Sequence, residues 1–284
     1  MIGEMIGDMH GAQYEFEEYK LKKEEYPLFS SKCEFTDDTV ATIAVIDALS
    51  KIMQEAGKNK PLNLSEENIE ELKKRTIEAF HFYVKAYPHC GWGSHFHQWG
   101  MNKDTKPYKS WGNGSAMRIS PVGWIADSEE EVKILSKAIS EVTHNHAEGI
   151  KGAEATAMCI YWARKGVGKE EIKARVIKDY YPIVDMLDYD TLVEEYRFDV
   201  SCQGTVPPAI YCFLISNSFE DCLRTCLSIG GDSDTLSAIG CSIAEAFYKP
   251  GKEWKEKAYK FLPERFCRAI DYIESWVDDR EPIE

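Results

Sequence analysis

Residues 35–39 read Phe-Thr-Asp-Asp-Thr and lead directly into an apolar run at residues 40–49. Within that run Val40, Ala44 and Ala48 recur at helical spacing, so the acidic pair is predicted to lie at the N-terminus of a helix. One interpretation is an ordinary N-cap, in which a hydroxyl or carboxylate accepts from free backbone N–H groups. The stretch alone therefore predicts a helix start and leaves any further role open.

A second acidic stretch favours a metal site. Residues 230–235 read Gly-Gly-Asp-Ser-Asp-Thr and again precede an apolar run, at residues 236–247. A cap needs one polar group, whereas both stretches supply paired carboxylates and a Thr hydroxyl, which are ligands that hard cations prefer. We therefore expect folding to bring together the candidate metal ligands, which are Thr36, Asp37, Asp38, Asp232, Asp234 and Thr235.

Four carboxylates would nearly balance two divalent cations, Mg²⁺ or Mn²⁺, and this relieves their mutual repulsion. A two-metal site can hold a substrate oxygen and lower the pKa of a bound water. A calcium-binding EF-hand is excluded because its Asp-x-Asp-x-Asp-Gly loop is absent. A serine hydrolase is rejected because the chain has no Gly-x-Ser-x-Gly elbow.

Composition narrows the functional classes. The 284 residues are 44% hydrophobic, and no apolar run reaches the roughly 18 residues that a membrane-spanning helix needs. The first residues lack the basic region of a secretion signal. The nine cysteines include no Cys-x-x-Cys pair, which disfavours zinc and indicates free thiols in a reducing compartment. We therefore expect a cytoplasmic protein that does not enter membranes.

The chain carries 48 Asp and Glu against 34 Lys and Arg, a net charge of −14. Nonspecific nucleic-acid binding is disfavoured because phosphates require a basic surface. A polyanionic substrate is still allowed, since bound cations and local basic groups can offset a global charge.

Helical patterns recur along the chain, alternating β patterns are almost absent, and no composition break marks a linker. The sequence therefore predicts an all-α fold with a single compact domain over residues 1–284. The predicted helices span about 38–56, 66–86, 129–142, 147–165, 170–179, 208–215, 219–229, 236–247 and 263–276. Loops are predicted at 17–34, 57–63, 87–114 and 201–207, and residues 180–200 receive no assignment.

Glycines mark two further segments. Gly3, Gly7 and Gly11 recur every fourth residue, so one face of an N-terminal helix lacks side chains and another backbone can approach it. Asp8 in this segment, taken alone, reads as a solvated surface acid. Residues 112–118 read Gly-Asn-Gly-Ser-Ala-Met-Arg, which is typical of either an anion-binding helix start or a tight turn.

Five segments in order resemble the ADP-ribosylglycohydrolase family. They are Gly7-Asp8 with Gly11 and Glu15, residues 35–39, residues 112–118, residues 143–152 and residues 230–240. The resemblance spans nearly the whole chain. It implies an orthogonal all-α fold with two Mg²⁺ or Mn²⁺ ions in a central cleft, and hydrolysis of the glycosidic bond between ADP-ribose and an acceptor. The implied substrate is an ADP-ribosylated protein or a small ADP-ribose conjugate, and the implied state is a monomer.

The resemblance also implies residue roles. Thr36, Asp37, Asp38, Asp232, Asp234 and Thr235 would bind metal, and Glu15 would lie beside it on a loop. Gly112, Asn113, Gly114 and Ser115 would meet the diphosphate or distal ribose, His144 or Asn145 the phosphate side, and Trp111 or Tyr108 the adenine. His10 and Gln13 depart from the small or apolar residues more usual in the family, which bears on the cleft entrance.

Asp37, Asp38 or Glu15 is the candidate catalytic residue that accepts a proton from the attacking water. Two alternatives remain open at this stage. One is a non-catalytic ADP-ribose or nucleotide binder, and the other is a two-metal phosphoesterase. The sequence does not select the acceptor, which can be arginine, serine, a nucleobase or an acetyl group.

Overall fold

The computed structural model describes residues 1–16, 20–57 and 61–278. Within these ranges the chain forms fourteen α-helices. They are α1 Gly3–Gly11, α2 Asp37–Ala56, α3 Glu66–Ala86, α4 Ser94–Asn102, α5 Ser120–Ile125, α6 Glu129–Ser140, α7 Ala147–Arg164, α8 Lys169–Asp179, α9 Tyr189–Glu195, α10 Cys202–Ile215, α11 Phe219–Ile229, α12 Ser233–Tyr248, α13 Lys252–Ala258 and α14 Glu264–Asp278. Short 3-10 turns lie at Lys23–Glu25, Asn113–Ser115 and Pro182–Met186.

The predicted all-α fold is confirmed. The described residues contain no β-strand, and one isolated antiparallel bridge joins Gly112 to Ser201. Parts of the predicted loops 17–34 and 57–63 lie outside the described residues, as does the end of the predicted domain, residues 279–284. No helix of the described chain is long and apolar enough to cross a membrane. All nine cysteines are free thiols, and seven of them are buried.

The prediction of a continuous loop over 87–114 was wrong, because α4 occupies Ser94–Asn102. No side chain caps the start of this helix, and glycines stand both before it and inside it. It is stabilised by tertiary packing instead: Phe96 and Trp99 are buried and both lie against Phe80 of α3. A helix held in this way leaves little local signal in the sequence.

The loop predicted at 201–207 was also wrong, since α10 begins at Cys202 and contains Pro207 and Pro208. Proline removes a backbone donor and normally interrupts a helix. Here the carbonyl of Gly204, four residues before Pro208, accepts instead from the Tyr196 hydroxyl at 3.1 Å. The unassigned region 180–200 contains a 3-10 turn and α9.

Helices α1 and α12 are in direct backbone contact, as the glycine repeat predicts. A Cβ at Gly7 would lie 2.2 Å from the Ser237 carbonyl oxygen, and one at Gly11 would lie 2.2 Å from that of Ser233. Such distances are too short for any side chain, so only glycine allows this approach. The contact brings Asp8 of α1 close to the acidic N-terminus of α12.

Candidate functional site

The two acidic stretches converge on one cleft with a volume of about 540 Å³. Asp37 and Asp38 enter it from the first turn of α2, and Asp232, Asp234 and Thr235 enter from the start of α12. Its other lining residues are Glu15, Gly91, Gly93, Ser94, His95, Phe96, Tyr108, Lys109, Ser110, Trp111, Gly112, Asn113, Gly114, Met117, Arg118, His144, Phe198 and Val200.

Six acids form what we call the acidic cluster: Asp8, Glu15, Asp37, Asp38, Asp232 and Asp234. Within it, ligand oxygens of Asp8, Asp38 and Asp234 lie within 4.8 Å of one another, and so do those of Glu15, Asp232 and Asp234. The two groups share Asp234. A carboxylate that belongs to two ligand groups can bridge two neighbouring cations.

Asp8 is a buried anchor, and the interpretation of it as a solvated surface acid was wrong. Its carboxylate is fully buried and accepts from the backbone N–H and hydroxyl of Thr36 and of Thr39. The hydroxyl bonds measure 2.7 Å for Thr36 and 2.5 Å for Thr39. Asp8 thereby fixes the first turn of α2, and with it Asp37 and Asp38.

Burial and mutual repulsion raise the pKa values of the acids in the acidic cluster. Burial, followed by repulsion from Asp234, raises the pKa of Asp37 and of Asp38 well above the usual value. Burial and then Asp232 do the same for the pKa of Asp234. Burial, with repulsion from Asp234 and Asp8, raises the pKa of Glu15 to about 8.

No ion pair within the described residues relieves this charge, and the buried Oδ2 of Asp38 has no hydrogen-bond partner there. The donor set consists entirely of carboxylate and hydroxyl oxygens. Hard divalent cations prefer such oxygens and would remove the repulsion, so these residues fit them.

The two candidate threonine ligands are placed differently. The Thr235 hydroxyl lines the cleft and donates to Asp38 Oδ1 at 3.2 Å. The Thr36 hydroxyl donates to Asp8 and also accepts from the backbone N–H of Asp38 at 3.4 Å, which is the role of an N-cap. The capping interpretation is therefore confirmed for Thr36, and its role as a metal ligand stays a prediction.

The glycine-rich segment lies beside the acidic cluster and is tied to it. Asn113 Nδ2 donates to Asp232 Oδ2 at 2.6 Å and to the Thr205 hydroxyl at 3.0 Å. Gly112 and Gly114 line the cleft, whereas the Ser115 hydroxyl is buried and donates to the Gly149 carbonyl at 2.7 Å. Ser115 thus supports the turn from behind.

The neighbouring residues His144 and Asn145 have different surroundings in the structure. His144 lines the cleft, but Asn145 does not, and its Oδ1 accepts from the backbone N–H of Lys109 at 2.7 Å. Arg118 lies behind His144 as a fully buried guanidinium that no carboxylate of the described chain pairs with. It donates to the Thr143 hydroxyl at 2.8 Å.

We call residues 112–114, Arg118, Thr143 and His144 the donor cluster. Analysis of single residues missed Asp8, Arg118 and Thr143 as parts of the site. The available signal was their position inside the ordered segments, namely Gly7-Asp8, residues 112–118 and residues 143–152.

Aromatic residues line the rest of the cleft. Trp111 is 53% exposed, whereas Tyr108 is partly buried and stacks on His95 with ring centroids 4.1 Å apart. One face of Tyr108 is therefore already covered, and Trp111 has more free surface for a planar ligand group.

His10 and Gln13 support the loop that precedes the acidic pair. His10 Nδ1 donates to the Ile6 carbonyl at 2.7 Å, and its Nε2 accepts from the backbone N–H of Phe29 at 2.9 Å. Gln13 accepts from the Ser30 hydroxyl at 2.8 Å. Neither residue lines the cleft.

Sequence comparisons point to one family. A family model described as ADP-ribosylglycohydrolase matches residues 1–279. The ADP-ribosylhydrolase ARH3 of Mus musculus is 27% identical over 183 residues, covering 49% of this chain and 50% of the mouse protein. An uncharacterized protein of Archaeoglobus fulgidus is 26% identical over 249 residues. That alignment covers 81% of this chain and 78% of the archaeal protein. The chain spans about half the length of the mouse relative.

A solved structure has the same fold. It is titled ADP-ribosylglycohydrolase-related protein complex and aligns with a TM-score of 0.57 at 20% identity. The alignment covers 98% of this chain and 93% of the other. At this identity the likeness establishes the helical architecture and leaves the chemistry to the site itself.

Proposed function

The chain belongs to the ADP-ribosylglycohydrolase family, and on that premise we propose that it hydrolyses the glycosidic bond between ADP-ribose and an acceptor with the help of two divalent cations, Mg²⁺ or Mn²⁺. The proposal rests on two sets of three carboxylates that have Asp234 in common. They lie at a cleft that residues of the donor cluster also line. A pure binder of ADP-ribose has no need of six converging acids.

Asp8, Asp38 and Asp234 would hold one cation, and Glu15, Asp232 and Asp234 the other, with Thr235 and Thr36 as further oxygen ligands. Such cations supply Lewis-acid polarisation and a more acidic bound water. Asp37 lines the cleft outside both groups. Besides the role of a metal ligand predicted from the sequence, we assign its carboxylate to orienting water or a ribose hydroxyl.

Asp38 and Glu15 are the other candidates for the proton-accepting role, and Glu15 is the more exposed of the two. It lies on the turn after α1 and is partly exposed, unlike the buried Asp38 and Asp234. An acid at the edge of the cleft can exchange protons with solvent while facing the reacting bond. The donor cluster supplies N–H groups suited to phosphate, and Trp111 supplies a ring face suited to adenine.

We further propose that the substrate is an ADP-ribosylated protein or a small ADP-ribose conjugate and that the protein acts as a monomer. The nine free thiols are consistent with a reducing compartment, which supports a cytoplasmic location.

The test is an assay of free ADP-ribose released from arginine-linked, serine-linked, nucleobase-linked and O-acetyl conjugates. We expect release from at least one of them, loss of release in EDTA, and recovery when Mg²⁺ or Mn²⁺ is restored. Formation of AMP or phosphate would instead indicate a phosphoesterase. Tight binding of ADP-ribose without release from any conjugate would indicate a binder.

A further inference from the structure

A buried hydrogen-bonded chain runs from Arg118 through Thr143 to His144. Arg118 Nη2 donates to Thr143 Oγ1 at 2.8 Å, and Thr143 Oγ1 lies 2.8 Å from His144 Nδ1. Arg118 is 1% exposed, Thr143 0% and His144 5%. The guanidinium is held in place by aromatic rings, with its carbon 4.3 Å from the Phe80 centroid and 5.2 Å from that of Phe96.

The positions of the protons in this series of hydrogen bonds follow from which groups can donate and which can accept. An arginine only donates, so Thr143 Oγ1 accepts from Arg118. Within the described chain the one acceptor in reach of the Thr143 hydroxyl hydrogen is His144 Nδ1. A second N–H of positive character, Arg118 Nη2 at 3.5 Å, also faces that nitrogen. A lone pair at Nδ1 satisfies all three groups, whereas a proton there would face the guanidinium.

The opposite nitrogen of His144 faces the glycine turn. A Cβ built on Gly114 would lie 3.2 Å from His144 Nε2, and one on Gly112 would lie 3.6 Å away. The space beside Nε2 is therefore open only because both residues lack side chains. No protein group in the described ranges accepts a hydrogen bond from Nε2.

We propose that Arg118 and Thr143 are positioning residues that lock His144 in the neutral tautomer with its proton on Nε2, so that the ring donates to an anionic phosphate group of the ligand. The identity of that anion as the diphosphate of ADP-ribose rests on the proposed function. The tautomer itself does not. Arg118 contributes positive charge to the same place without leaving the protein interior.

His10 provides an internal reference, because its surroundings dictate the other tautomer. A carbonyl accepts from its Nδ1 and a backbone N–H donates to its Nε2. Two buried neutral histidines in one chain are thus expected to differ in the nitrogen that carries the proton. This difference is measurable by two-bond ¹H–¹⁵N correlation spectra of the full chain labelled at histidine.

The experiment compares wild type with Thr143→Val, which keeps the shape and removes the hydroxyl, and with Thr143→Ser, which restores it. Thr225→Val is the matched control, since Thr225 is also fully buried but donates to the Asp221 carbonyl of its own helix. Unchanged His10 signals show that each variant is folded. Binding of ADP-ribose and of inorganic pyrophosphate is measured by calorimetry, alongside binding of Mn²⁺.

We expect an Nε2-protonated His144 in wild type and in Thr143→Ser, and a mixture of tautomers in Thr143→Val. The Kd of both anions should rise about tenfold in Thr143→Val and return to near wild type in Thr143→Ser, while Mn²⁺ affinity stays unchanged. A proton on Nδ1 in wild type, or an unchanged spectrum in Thr143→Val, would overturn the tautomer assignment. Equal anion affinity in wild type and Thr143→Val would overturn the phosphate role.

These outcomes are independent of turnover. If no conjugate is hydrolysed but the tautomer and affinity shifts appear, the proposed function fails and the positioning role stands. If hydrolysis occurs and Thr143→Val changes neither the spectrum nor the affinity, the proposed function stands and the positioning role fails.

Discussion

The acidic cluster and the donor cluster meet at the same cleft, and they differ in the charge of their buried side chains. In the donor cluster Arg118 is paired with Thr143 and Thr143 with His144, while Arg118 Nε has no hydrogen-bond partner within the described residues. The acidic cluster carries repelling carboxylates and an unpartnered oxygen on Asp38. A protein keeps such a costly arrangement where a ligand completes it. The comparison supports the proposals that cations complete the acidic cluster and that the donor cluster binds an anion.

The largest loss of activity is expected at Asp234, the residue that belongs to both sets of carboxylates. Asp234→Asn removes the shared ligand, and we expect turnover to fall about 10³-fold because cation stabilisation amounts to several kcal/mol. Mn²⁺ affinity should fall as well. Calorimetry with Mn²⁺ and the ADP-ribose release assay measure both, with Asp190→Asn on the exposed start of α9 as the control. Wild-type cation binding and turnover in Asp234→Asn would break the assignment of the acidic cluster.

A smaller effect is expected for Asp8, which belongs to one ligand group and also anchors the first turn of α2. Asp8→Asn can no longer accept from both the Thr36 and Thr39 groups, so the first turn of α2 loosens and cation affinity and activity should fall about 100-fold. Asp47→Asn is the control, because Asp47 lies on the same helix and pairs with Arg265 at 2.9 Å. Equal behaviour of the two variants would show that Asp8 serves only the fold.

The donor cluster can be tested without touching the acids. Gly114→Ala places a methyl group 3.2 Å from His144 Nε2, and we expect the Kd of ADP-ribose to rise roughly 30-fold, as overpacking by about 2 kcal/mol implies. Cation affinity should not change. Gly93→Ala serves as the control. Gly93 lines the same cleft, and a Cβ added there would have no heavy atom within 4 Å. Loss of Mn²⁺ binding in Gly114→Ala would show that the clusters are not separable.

The smallest effect is expected at the rim. Trp111→Ala should raise the Kd of ADP-ribose about tenfold, the size of one lost base-stacking contact, and leave that of ribose 5-phosphate unchanged. Trp111→Phe should recover most of the affinity. Phe82→Ala removes an aromatic of similar exposure, 51%, that does not line the cleft. If Trp111→Ala weakens both ligands equally, the ring is not an adenine platform.

Much of this organisation could be predicted from the sequence, because it depends on local signals. Ser65, Ser128 and Ser218 cap their helices as their side chains suggest, and the predicted helices 66–86 and 219–229 match the structure. The convergence of Asp37 and Asp234 was predictable because two matching acidic helix starts demand a common explanation. The glycine repeat in α1 likewise predicted its close contact.

What could not be predicted depends on partners that are distant in the sequence. α4 is held by Phe80 of α3, and the two prolines of α10 are tolerated because a tyrosine hydroxyl replaces a lost donor. Asp8 looked like a surface acid because its four donors come from residues 36 and 39. Asn145 and Ser115 stand next to cleft residues in the sequence but direct their polar groups into the protein.

The contact between α1 and α12 has a consequence for protein engineering. Ordinary helices pack with axes roughly 8–10 Å apart because side chains separate them, whereas here main chain meets main chain at Gly3, Gly7 and Gly11. At the ordinary separation of two helices, Asp8 of α1 would lie farther from Asp234 of α12 than it does here. A scaffold that lacks this glycine-faced helix pair would therefore need another way to hold Asp8 close to Asp232 and Asp234.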